Sequence, residues 1–154
     1  MVLYVLALLI GVVAGLRAMT APAAISWAAY LGLLNLDGTW LALLGYRWTP
    51  WIMTVLAIGE LIGDQLPTTP SRKTLMPFAT RIIVGALCGA AIAAQSGSLL
   101  GGLVAGALGG IIGTLGGAEG RARLAAAFGK DRTAALTEDA VAILGAVLIV
   151  GALP

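Results

Sequence analysis

The chain has 154 residues, 60% of them hydrophobic and only 10% charged, against about 25% charged in an ordinary soluble domain. A chain this short is mostly surface, so folding in water would turn its apolar side chains outward; composition excludes that class and leaves lipid as the solvent. A net charge of +2 is too small to point to nucleic acid, and the lack of any histidine removes the commonest near-neutral proton carrier and zinc ligand.

In chain order, the first predicted span covers residues 2–19. It has no basic leader and no clear cleavage site, so it is expected to be retained. Residues 23–36 are apolar but short. Pro22 starts this segment and Gly32 with Asn35 can end it, which predicts a re-entrant or interfacial helix. Residues 37–50 form a polar turn region with Trp40, Arg47 and Trp48; clustered indoles beside an arginine suit the headgroup layer. The second span is predicted at 51–66, closed by Pro67, and the third at 78–94 after a loop with Arg72 and Lys73. A glycine-dense fourth span covers 99–115. A polar stretch with a short amphipathic helix at 121–128 precedes a fifth span at 140–153. Cys88 sits in an apolar run and is expected to be a small buried hydrophobe.

The expected fold class is therefore an all-α integral membrane protein, a single domain with about five transmembrane helices and one or two short re-entrant or interfacial helices. Arg72, Lys73, Arg121, Arg123, Lys130 and Arg132 then fall on the N-terminal side. The positive-inside rule puts the N-terminus in the cytoplasm and the C-terminus outside, and a full crossing by 23–36 would reverse this.

Gly102, Gly106 and Gly110 share one helix face at spacing four, as do Gly109, Gly113 and Gly117. Missing side chains let a neighbouring backbone approach, so these are helix-packing positions within one protomer or between protomers, and they suit a homo-oligomer. Gly11 and Gly15 repeat the spacing in the first span. A coarse order of small-faced span, arginine, short helix and acidic span occurs twice. It suggests an inverted repeat with halves 1–67 and 98–154 around a linking span at 78–94.

Ionisable groups within apolar segments need explaining, because a mid-span carboxylate costs about 2.5–3.5 kcal/mol even on conservative scales. Glu60 and Asp64 lie one turn apart on a single helix face, and Arg17 and Arg81 are the cations at comparable depth. An Arg17–Glu60 pair is expected, either to fix helix register or to form a polar site. Pro22 breaks the chain beside Arg17, where freed backbone groups can bind an anion. Glu138 and Asp139 are expected near the start of the last span, where capping accounts for one of them. Candidate substrate-binding residues are thus Arg17, Pro22, Glu60, Asp64, Arg81, Glu138 and Asp139. An alternative set, Asp64, Arg72 and Lys73, would grip a phosphate-bearing headgroup. No metal-ligand set, phosphate loop or nucleophile elbow is present, so no metal or cofactor is expected.

Gly15-Leu16-Arg17, Met19-Thr20-Ala21-Pro22, Gly59-Glu60 through Asp64, and Pro67 resemble the pattern of a family of small bacterial multi-spanning proteins of unknown function. The resemblance covers nearly the whole chain in hydropathy. It implies an integral protein of the bacterial inner membrane and carries over Arg17, Pro22, Glu60 and Asp64. It supplies no activity.

The leading expectation is a transporter or channel for a small solute or ion, with a site between the first and second spans. The alternatives are an enzyme or binder of phospholipid or polyprenyl-phosphate headgroups at the cytoplasmic face, and a structural membrane protein whose charges only set packing. An enzyme is the less expected class. Partners are the bilayer, further copies of the chain, and a solute, ion or headgroup, with no nucleic acid.

Overall fold

A computed structural model describes residues 1–65 and 73–154. Among them there are six α-helices and no strands: α1 (Val2–Leu16), α2 (Thr20–Tyr30), α3 (Thr49–Gly63), α4 (Leu75–Ala93), α5 (Leu99–Phe128) and α6 (Asp131–Gly151). The chain is an all-α membrane protein. Helices α4, α5 and α6 are long and apolar enough to cross a bilayer; α1 and α3 are shorter apolar helices. Large apolar side chains such as Val55, Ile62, Val104, Val147 and Leu148 face outward, the inverse of a water-soluble surface and the pattern that acyl chains accommodate.

The core is a three-helix contact of α1, α4 and α5 made through glycine. A Cβ placed on Gly106 would overlap the carbonyl oxygen of Gly85, and one on Gly15 would come within 2.6 Å of the Thr114 amide nitrogen. The α5 glycines at 102, 106, 109, 110 and 113 are buried against α1 and α4 of the same chain. Their close packing is with helices of the same protomer; Gly117 is half-buried beyond this contact. Gly106→Ala is expected to lower the unfolding midpoint in detergent, costing about 1–3 kcal/mol of overpacking. Gly116→Ala, where the added Cβ meets nothing within 4 Å, should be neutral or better by up to about 1 kcal/mol. Equal behaviour of the two variants would contradict the packing.

Helix directions follow from the same contacts. Tyr4 lies against Gly101 and Gly15 against Thr114, so α1 and α5 are parallel; Gly89 lies against Gly102 and Arg81 against Gly110, so α4 is antiparallel to α5. Arg17 meets Asp139 and Gly145 meets Val13, so α6 is antiparallel to α1. Trp27 meets Trp51 while Ala18 meets Glu60, so α3 is antiparallel to α2. After α2, the Leu33 carbonyl accepts a hydrogen bond from Gln95 Nε2 at the far end of α4.

The segment expected to re-enter therefore runs from one end of the bundle to the other. Both chain ends point to the same end of the bundle; α4, α5 and α6 are long enough to span, α1 and α3 are shorter apolar helices, and α2 has 11 residues. Two further differences have local causes. The amphipathic stretch 121–128 continues α5 without a break, because its alanine, leucine and arginine content favours helix across the Gly116-Gly117 pair. Helix α6 starts at Asp131, well before residue 140.

Candidate functional site

The site is built around a break. Helix α1 stops at Leu16, and Arg17 takes an extended conformation (φ −138°, ψ 108°) while its amide still bonds Val13 at 2.8 Å. Helix α2 begins three residues later, with Pro22 in its first turn, where a missing N–H costs nothing. Pro22 is buried there. It helps start the second helix; the hydrogen bonds and ion pairs of the site come from its neighbours.

The amides of Ala18 and Met19 both donate to the Glu60 carboxylate, each at 2.8 Å. One acid of α3 thus takes two backbone donors at the start of α2, where the helix dipole also favours negative charge. Arg81 of α4 lies 3.4 Å from the same carboxylate. Arg17, fully buried, is ion-paired with Asp64, just past the end of α3, and with Asp139 of α6, and Arg81 reaches Asp64 at 3.9 Å. The expected Arg17–Glu60 pair is therefore replaced by a division of labour. Glu60 holds the backbone of the break, and Asp64 and Asp139 hold the guanidinium beside it. Helices α3, α4 and α6 and the break between α1 and α2 contribute to the network.

Its depth follows from helix length. Fifteen residues of α1 span about 22 Å, so the break lies within a hydrocarbon core about 30 Å thick if α1 begins at the opposite interface. The carboxylates are largely enclosed, with side-chain exposures of 14% for Glu60, 16% for Asp64 and 10% for Asp139. Unspent polar capacity remains beside them. Among the described residues, Arg17 Nε and the buried Thr20 hydroxyl have no hydrogen-bond partner.

Glu138 and Asp139 were expected near the start of α6, with one of them capping it; both lie two turns inside it, and Asp131 is the acid of its first turn. Glu138 is buried and 3.9 Å from Arg121, whose guanidinium also makes two bonds to Asp131 at 2.7 and 3.0 Å. This Arg121 link between α5 and α6 was missed from sequence, where the stretch before the last span read only as polar with a short amphipathic helix. Thr114 was missed as well: its hydroxyl lies 2.7 Å from the Gly110 carbonyl and 3.3 Å from that of Gly15, at the last turn of α1. A lone hydroxyl inside a glycine run was the available signal. Of the alternative headgroup set, Asp64 is engaged by Arg17, Lys73 is exposed, and Arg72, like Pro67, lies outside the described residues.

Residues 4–153 match a family described as Domain of unknown function (DUF4126). No curated protein and no solved structure matches the chain.

Proposed function

We infer that this chain, which belongs to the DUF4126 family of unknown function, is a small membrane transporter or channel whose polar site is the network of Arg17, Glu60, Asp64, Arg81 and Asp139. The observation that carries this reading is a fully buried arginine at a helix break, tied to acids from two other helices. Interrupted helices at membrane depth are tolerated where they are buried in protein or line a cavity, and they recur at transport sites. Among the described residues the network sets two guanidinium groups against three carboxylates. An excess of negative charge away from water calls for a cation or a proton, so the moving species is cationic or its movement is linked to protons.

Lys73, Arg121, Arg123, Lys130 and Arg132 lie toward the end of the bundle that holds this network, and Arg47 lies in the turn region at the other. The basic end is thus cytoplasmic by the positive-inside rule, and both chain ends face outward, in a bacterial inner membrane.

The test uses purified protein in proteoliposomes with an internal pH-sensitive dye and an imposed membrane potential. Wild type is expected to admit protons. Glu60→Gln exchanges a charged acceptor of two N–H groups for a neutral one and should slow flux by about tenfold or more. Wild-type flux from an equally incorporated variant removes Glu60 from the mechanism.

A second reading is favoured by the pairing of every charge in the network: the ions only fix helix register. The two readings diverge in the Arg17 variants discussed below.

A further inference from the structure

All seven acids of the chain lie among the described residues, and six have ion-pair partners: Glu60, Asp64, Glu119, Asp131, Glu138 and Asp139. Asp37 has none. It lines a groove of about 690 Å³ at the end of the bundle opposite the charge network. That volume falls in the usual range for small-ligand sites. The groove is formed between the C-terminal end of α2 at Ala29, the turns around Gly32 and Gly38, and the 3-10 turn Trp40–Gly45.

The other polar groups lining it are largely engaged locally. Asn35 Oδ1 accepts from the Asp37 amide at 2.9 Å, and the Thr49 hydroxyl donates to the Leu43 carbonyl at 2.7 Å. The one basic side chain of the turn region, Arg47, does not line the groove; it sits over the Trp48 ring, 5.3 Å from the centroid. Among the described residues Asp37 is the one acidic or basic side chain lining the groove, and Tyr46 is the aromatic one.

We propose that this groove binds an ammonium group, primary or quaternary, with the Asp37 carboxylate as its counter-ion and Tyr46 as its aromatic wall. A carboxylate supplies charge, an aromatic face adds cation–π attraction, and apolar neighbours such as Leu34 and Leu36 accept alkyl substituents. The exposed Trp40 and Trp48 nearby suit the interfacial layer. The ammonium can therefore come from a zwitterionic lipid headgroup or from a free amine. This inference does not rest on the transport reading, since none of its residues belongs to the charge network.

The experiment uses the full chain in detergent, titrated with choline, ethanolamine and the neutral choline isostere 3,3-dimethylbutanol, followed by calorimetry and thermal unfolding. Parallel samples in nanodiscs compare phosphatidylethanolamine with phosphatidylglycerol. An ammonium compound should bind and raise the midpoint while the neutral isostere does not. Asp37→Asn should weaken binding by about tenfold or more with an unchanged ligand-free midpoint, because the residue is exposed and makes no ion pair. Binding in lipid-free detergent identifies the free amine as the source. Stabilisation only by phosphatidylethanolamine, lost in Asp37→Asn, identifies the headgroup. Equal binding of the neutral isostere, wild-type affinity in Asp37→Asn, or no response to any ammonium probe in either setting overturns the proposal. Proton flux is read separately, so either proposal can fail alone.

Discussion

Arg17→Met is expected to be the most destabilising single substitution in the chain, by about 3–5 kcal/mol, because it leaves Asp64 and Asp139 enclosed without their cation. Unfolding in a detergent series, monitored by circular dichroism, measures the loss. The variant Arg17→Met/Asp64→Leu/Asp139→Leu removes all three charges together and should recover most of that stability, since well-packed apolar replacements of buried ion groups are often neutral or stabilising. The purely structural reading then predicts that the triple variant also keeps cellular function and wild-type flux. The transport reading predicts a stable protein with no flux. A single variant that unfolds like wild type would place the guanidinium in water and remove the basis of both.

Labelling from one side of the membrane should give an all-or-none pattern. Cys88 is buried at 1% exposure, so its background reactivity with an impermeant maleimide is expected to be negligible. Single cysteines introduced at Val2, Gly97 and Leu153 are expected to react from one common side, and one at Lys130 only from the other. Five passes would separate residue 2 from residue 153. Labelling of those two from opposite faces would therefore refute the antiparallel return of α2. In intact cells the common side should be the outside.

Which charges meet was legible in the sequence because a charge in an apolar segment has to find a partner. That rule selects Arg17, Glu60, Asp64 and Arg81, and the structure brings all four together with Asp139. Partner choice was not legible. It depends on helix rotation and direction, and the antiparallel approach of α3 sets Glu60 opposite the amides of Ala18 and Met19 while Asp64 reaches the guanidinium. The end-to-end run of α2 was hidden for a related reason. Helix α2 has only 11 residues, about 16 Å, and the chain reaches the far end of α4 only with the turns that follow, which no apolar window registers. The glycine faces announced close packing, but spacing alone does not say whether a neighbour comes from the same chain. Asp37 was overlooked because one acid in a polar loop has an ordinary look until the rest of the charges are accounted for.

The grip on Glu60 has a genetic consequence. Its two donors belong to the main chain, so side-chain exchange at positions 18 and 19 leaves them in place, whereas proline at either position deletes one. A mutational map restricted to conventional replacements would thus register this contact on one partner and stay silent on the other.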